Sequence, residues 1–331
     1  MSEYMRSMKG LVDAVDHVGK DFISITDMST DQLYSLFELG KNLELFNRSR
    51  VDLLGDRMLA LMFFQPSTRT RMSFQTAMER LGGHVIVEAN PKVTSSVAKE
   101  ESIEDTMRCV SQYANLMVIR HYDADEARRG AGAAECPVIN GGWGHWEHPT
   151  QALLDLYTMW RRFGRIEGLN VAVVSPDMIE ARTGHSMAAG LARFGANVTI
   201  CSDSDRRTPA EVRERILSHG EVSLKEELDF EQDTFNEFVR TQDLIYLPGC
   251  SAPAGAKAEE FKTLMDRYLV RYETLQEEAA KGHQIYVTHT LPRRAGEMDL
   301  RIDDTPHQLY FRAILQSVSI RMALVTAILG L

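Results

Sequence analysis

The sequence predicts an α/β protein of two domains, each a parallel β-sheet flanked by helices, with a C-terminal helix packing back on the first domain. Three observations lead there. Short apolar runs alternate with longer amphipathic stretches, the runs fall into two separate sets, and 331 residues at 44% hydrophobic content are enough for two cores of ordinary size.

The first set is MLALMFF at 58–64, HVIVEA at 84–89 and NLMVIRH at 115–121. The second is NVAVVS at 170–175, NVTICS at 197–202, DLIYLP at 243–248 and QIYVTH at 284–289. Such near-continuous apolar runs are what strands buried on both faces need. Between the sets lies HPTQALLDLYTMWRRF, where Leu153, Leu154, Leu156, Tyr157 and Trp160 make a helix pattern able to carry the chain from one sheet to the next. The domains are therefore expected at 1–148, joined by a C-terminal helix at 305–331, and at 149–304. Thr305 reads as that helix's N-cap and Pro306 as its first residue, and apolar positions around most of its circumference imply burial.

A charged fraction of 25% and an aromatic fraction of 8% are those of a soluble globular protein. The formal net charge of -10 argues against nucleic-acid and anionic-membrane partners, which need a basic field, so any phosphate site must be a local positive pocket. Cys109, Cys136, Cys201 and Cys250 lack the paired spacing of a zinc site, so no metal is expected. No apolar run approaches the roughly twenty residues of a membrane helix, and the N-terminus lacks a signal peptide's apolar core. A cytoplasmic location follows as the expectation.

The strongest local signal is FFQPSTRTRMSFQTAMERLGG. A buried strand runs through a proline into Ser67-Thr68-Arg69-Thr70-Arg71 and then directly into a helix. The start of a helix offers unpaired backbone N–H groups and a partial positive charge, and here hydroxyls and guanidinium groups sit on the same turn. Arginine grips phosphate oxygens with a planar fork, while hydroxyls add donors, so the turn reads as a phosphate site. A lone Ser-Thr-Arg would be a capped helix start; this longer string after a strand is more. No Gly-x-Gly-x-x-Gly follows a predicted strand, which argues against a nicotinamide dehydrogenase, and no cofactor is expected.

That segment resembles the carbamoyl-phosphate motif of the aspartate and ornithine carbamoyltransferases. VIRHY at 118–122, HPTQALLDLYT at 148–158 and HTLPRR at 289–294 resemble further segments in order, and YFRAILQSVSIRMAL is similar to the aspartate branch in particular. The resemblance spans nearly the whole chain. It implies a transferase in which an uncharged amine of an amino acid attacks carbamoyl phosphate and phosphate departs, driven by orientation and fixed positive charge.

The resemblance also implies roles. Ser67, Thr68, Arg69 and Thr70 would hold the phosphate, Arg120 would reach phosphate and carbonyl oxygen, His148 would contact the carbonyl oxygen and Gln151 the carbamoyl NH2. Ser95 and Lys99, in VTSSVAKEES, would enter a neighbouring subunit's site, so a homotrimer with shared sites is implied, while a regulatory subunit is not legible. Arg69, Arg120, His148 and Lys99 form the implied catalytic group. Arg182 would bind the acceptor's α-carboxylate and Leu291 would aim backbone carbonyls at the amine, with Leu291–Pro292 expected cis as in the family. Membership of the aspartate branch would imply pyrimidine biosynthesis.

The chain departs from the family at the acceptor. Gly249 and Ser251 stand where aspartate enzymes carry an arginine and, two residues on, a glutamine that grip the side-chain carboxylate. Losing such an arginine removes a contact typically worth about 1.5–3 kcal/mol. Thr290 stands where ornithine enzymes have cysteine. The acceptor is expected to be L-aspartate or an analogue with a different side chain. The competing reading is a catalytically retired paralogue serving as a scaffold or ligand-binding protein.

Overall fold

The computed structural model describes residues 3–94, 100–218, 223–250, 257–293 and 296–331. Contacts divide the chain into a first unit, Met1–Tyr157 with Ile314–Leu331, and a second, Thr158–Ala313.

The first unit runs α1 (Glu3–Val15), α2 (Thr30–Leu43), β1 (Met58–Phe63), α3 (Thr68–Arg80), β2 (His84–Glu88), α4 (Pro91–Thr94), α5 (Ile103–Ser111), β3 (Leu116–His121), α6 (Ala124–Ala133), β4 (Val138–Trp143) and most of α7 (Pro149–Phe163). Its strands are parallel in the order β2-β1-β3-β4. Leu59, Leu61 and Leu116 are fully buried, each contributing roughly 1.5–3 kcal/mol of apolar transfer. The second unit runs β5 (Asn170–Val174), α8 (Arg182–Arg193), β6 (Asn197–Ser202), α9 (Ala210–Leu217), β7 (Leu224–Leu228), α10 (Gln232–Val239), β8 (Leu244–Leu247), α11 (Ala258–Arg267), α12 (Tyr272–Ala280) and β9 (Tyr286–His289). Its strands are also parallel, in the order β7-β6-β5-β8-β9. All seven expected strands are present, in two parallel sheets flanked by helices.

β4 and β7 were not expected. In β4 the pair Gly141–Gly142 breaks the apolar run of VINGGW, although every residue of the strand is buried. β7 is an edge strand, LKEEL, and its exposed Lys225 and Glu227 are the charges that keep an open edge from pairing with another chain.

The last helix, α13 (Tyr310–Leu329), begins later than the expected Thr305. The Thr305 hydroxyl donates to Ile302 O at 2.7 Å, and the chain after it lies along β9. Val287 N–H donates to His307 O at 2.8 Å and Leu309 N–H to Val287 O at 2.9 Å, so the backbone groups a helix would need are already engaged. From Ile314 onward α13 belongs to the first unit, where the Arg321 guanidinium lies over the Phe74 ring of α3 and Ile320 faces Gly40 of α2. Its length and hydropathy would suffice to cross a membrane, which corrects the expectation that no run is long enough; 72% of its apolar window is buried inside the protein. Along α7 the unit boundary falls past the expected 148–149, because Tyr157 still donates to Glu44 Oε1 at 2.6 Å within the first unit.

Candidate active site

In an open parallel sheet, ligands sit beyond the strand C-termini where the strand order reverses. In the first unit that place lies between β1 and β3. β1 leads through Gln65 and Pro66 into α3, whose N-cap is Ser67 in extended conformation. The Ser67 side chain makes no capping bond and no acidic residue occupies the first turn, so the N–H groups and partial positive charge there are not neutralised from within the helix. Arg69 stands on that turn; it keeps solvent along one side, yet partial desolvation lowers its pKa.

Arg120 is the penultimate residue of β3 and is tied to the residue that follows β1, since Phe64 N–H donates to Arg120 O at 2.8 Å. The β3–β4 register shifts between Ile119 and His121, and the displaced Gly141 carbonyl accepts from Arg120 Nη1 at 3.0 Å. The same Nη1 meets His148 Nε2 at 3.2 Å. A guanidinium can only donate, so His148 Nε2 accepts and the ring proton sits on Nδ1, 3.4 Å from Thr150 Oγ1. Thr70 Oγ1, from the opening turn of α3, lies 3.5 Å from His148 Nε2. Gly142 makes this approach possible: its φ is +115°, and a Cβ there would stand 2.8 Å from Arg120 Nη1 and 3.3 Å from His148 Cδ2. One turn into α7, Gln151 Nε2 donates to buried Asp155 Oδ2 at 3.0 Å, which turns the amide oxygen the other way. Asp155 in turn feels the positive charge of buried Arg321.

In the second unit the order reverses between β5 and β8. The turn after β5 folds around the Asp177 carboxylate, which accepts from Ile179 N at 3.0 Å and Glu180 N at 3.3 Å and pairs with Arg206. That turn delivers Arg182 to the start of α8, where burial pushes its pKa down to about 10. Beside it, Thr183 Oγ1 donates to Pro248 O at 3.2 Å, joining the start of α8 to the turn leaving β8. Gly249 in that turn has φ +81°, a conformation in which any L side chain is strained. The turn leaving β9 lies alongside: Leu291 has φ +55° and the Leu291–Pro292 bond is cis.

The structure thus brings Thr70, Arg120 and His148 into contact, with Ser67, Thr68 and Arg69 on the turn that holds Thr70 and Gln151 on the helix that follows His148. In the second unit, hydrogen bonds link the neighbourhoods of Arg182, Gly249 and Leu291. Ser95, Lys99 and Ser251 lie outside the described residues. Sequence reasoning missed Gly142, Asp155 and Glu297. The Gln-x-x-x-Asp spacing of 151–155 would have disclosed Asp155, since residues four apart share a helix face; nothing in the sequence marks Glu297, which hydrogen-bonds both Cys250 N–H and His289.

Comparison with known proteins adds a second line. Residues 20–161 match the aspartate/ornithine carbamoyltransferase carbamoyl-P binding domain, and residues 167–328 match the Asp/Orn binding domain of the same family. A ureidoglycine carbamoyltransferase of Rubrobacter xylanophilus is 61% identical over 325 residues, covering 98% of this chain and 96% of that protein. The aspartate carbamoyltransferase catalytic subunit of Pyrobaculum arsenaticum is 41% identical over 312 residues, covering 94% and 98%. Among solved structures, aspartate transcarbamoylase from Trypanosoma cruzi in complex with aspartate and phosphate aligns with TM-score 0.83 at 26% identity, covering 96% of this chain and 98% of that one. The catalytic subunit of M. jannaschii aspartate transcarbamoylase aligns with TM-score 0.80 at 32% identity, covering 94% and 99%.

Proposed function

The chain belongs to the aspartate/ornithine carbamoyltransferase family, and from that premise we propose that its acceptor keeps an amino acid's α-carboxylate but bears an uncharged side chain. It is a transferase that moves the carbamoyl group of carbamoyl phosphate to an amino group and releases phosphate. Ureidoglycine, glycine with a urea group on its α-carbon, has the proposed form, and a relative sharing 61% of its residues is named for it. The observation that carries the reading is Gly249. A position at φ +81° is not merely vacated by arginine but shaped against it, so no cation is held there for a side-chain carboxylate. With such an acceptor the product would not be carbamoyl aspartate, and pyrimidine biosynthesis would not follow.

The proposed chemistry uses fixed groups. The α3 turn with Ser67, Thr68, Arg69 and Thr70 would hold the phosphate; Arg120 and His148 would face the carbonyl oxygen, where negative charge grows as the amine attacks. Gln151, its NH2 committed to Asp155, presents an oxygen suited to the carbamoyl NH2. Arg182 would receive the α-carboxylate, and its low pKa marks the desolvated setting in which an ion pair is strongest. Departing phosphate can take up the amine's proton.

The decisive assay supplies carbamoyl phosphate and a panel of amino acids and measures carbamoylated product. The expected result is a kcat/KM for ureidoglycine at least a hundredfold above that for L-aspartate, and comparable values would overturn the reading.

A homotrimer with shared sites is proposed as well. Met72 on α3, and Ile86 and Val87 on the two faces of edge strand β2, are exposed apolar side chains of the first unit that a second subunit could cover. Light scattering would give a mass three times that of the chain. Mixing Lys99→Ala with Arg120→Ala chains would restore part of the activity that each has lost, whereas unshared sites would restore none. A cytoplasmic location is supported by the four cysteines, all described residues, which no disulfide joins.

A further inference from the structure

The turns leaving β8 and β9 are stitched together by groups that no role above uses. Thr290 Oγ1 donates to Pro248 O at 2.8 Å and Thr290 N–H to Leu247 O at 3.2 Å. Leu291 N–H donates to His289 Nδ1 at 2.8 Å; a backbone N–H can only donate, so the ring proton lies on Nε2 and is given to Glu297 Oε2 at 2.9 Å. The other Glu297 oxygen accepts from Cys250 N–H at 2.7 Å. His289 and Glu297 are almost wholly buried, whereas Thr290 and Gly249 border solvent. A Cβ on Gly249 would stand 3.8 Å from each of Thr290 Oγ1, His289 Cε1 and Glu297 Oε1, so space is present and only the backbone conformation bars a side chain.

We propose that Thr290 is a specificity-determining residue: with the buried His289–Glu297 pair it braces the Gly249 turn in its left-handed form, so that main-chain groups, not a charged side chain, face the acceptor's substituent. A urea group can pair with backbone N–H and C=O groups alike, whereas a carboxylate only accepts and is repelled by carbonyls. This deepens the reading of an uncharged acceptor and rests on it.

The test compares wild type, Thr290→Val and Glu297→Gln for KM and kcat with ureidoglycine and aspartate, the dissociation constant of a carbamoyl-phosphate analogue, and Tm. Thr290→Val should raise the ureidoglycine KM about five- to tenfold, as loss of one positioning hydrogen bond does, with kcat within about twofold and the analogue's affinity unchanged. Glu297→Gln, which sets an amide donor against either Cys250 N–H or His289 Nε2–H, should raise it further and narrow the preference over aspartate. An unchanged acceptor KM in folded Thr290→Val overturns the proposal. So does parallel weakening of donor and acceptor with a fallen Tm, which is the mark of a purely structural role. Should Glu297→Gln not fold, Thr290→Val decides alone. A wild type that prefers aspartate defeats the underlying reading before any variant is made, so the two failures stay distinct.

Discussion

The turn after β1 in the first unit and the turn after β8 in the second hold equivalent places, each beside the reversal of its sheet, yet they are made of opposite materials. The first packs hydroxyls and guanidinium groups onto the opening of α3, whose N-cap side chain makes no capping bond. The second holds a glycine at φ +81° and is braced from behind by buried His289 and Glu297. On the proposed assignment of phosphate to the first turn and acceptor to the second, the difference follows the ligands. A doubly charged phosphate presents the same oxygens to every member of the family, so charge and helix polarity can be built in permanently. An acceptor side chain varies, and a turn that recognises through its main chain is set by what holds it.

The first way to break the comparison is at the charged turn. Arg69→Ala should lower kcat/KM about a thousandfold, near the upper range for loss of one transition-state donor, and should weaken inhibition by inorganic phosphate in parallel. Steady-state rates check it; an unaffected turnover would remove the phosphate assignment. Arg182→Met comes next, with acceptor KM rising thirty- to a hundredfold while carbamoyl phosphate still binds. Its stability effect has a definite sign. Burial lowers the Arg182 pKa from the ordinary arginine value to about 10, so its charge costs the folded state in full below about pH 10, and the cost fades as the pH rises further. At pH 7 the variant's thermal midpoint should therefore equal or exceed that of wild type, a result differential scanning calorimetry reads directly.

Gly249→Arg sharpens the contrast further. Restoring the cation should not restore aspartate use, because the left-handed backbone costs a non-glycine residue about 1–2 kcal/mol and aims the side chain wrongly. The expectation is about tenfold lower activity with ureidoglycine and no gain with aspartate in the panel assay. The smallest effect is expected from Asp155→Asn, which frees the Gln151 amide to turn over: a three- to fivefold fall in kcat, with both KM values nearly unchanged.

How much was legible follows the same division. Ser67 to Thr70 could be found because the chemistry and the helix start coincide within a few residues of sequence. Both parallel sheets were visible because β1, β3, β5, β6, β8 and β9 are nearly unbroken apolar runs. β4 was hidden by the very glycines that let Arg120 reach His148, and β7 by the charges that suit it to an edge. Thr305 and Pro306 imitate a helix start, but β9 claims the residues after them, a long-range pairing that local propensity does not register. Glu297 was invisible for a similar reason: its partners, Cys250 and His289, are separated from it in sequence and meet it only once the sheet has formed.

The path of α13 has a consequence for how the molecule is made. Residues from Ile314 to Leu331 complete the first unit, and Gly19 N–H donates to Ile328 O at 2.9 Å, so that unit is assembled from two stretches that flank the second unit in sequence. The second unit, encoded as one uninterrupted stretch, emerges from the ribosome whole, whereas the first unit waits for residues 314–331, which are translated after it. A product stalled before residue 314 would thus carry a whole second unit and a first unit lacking its closing helix.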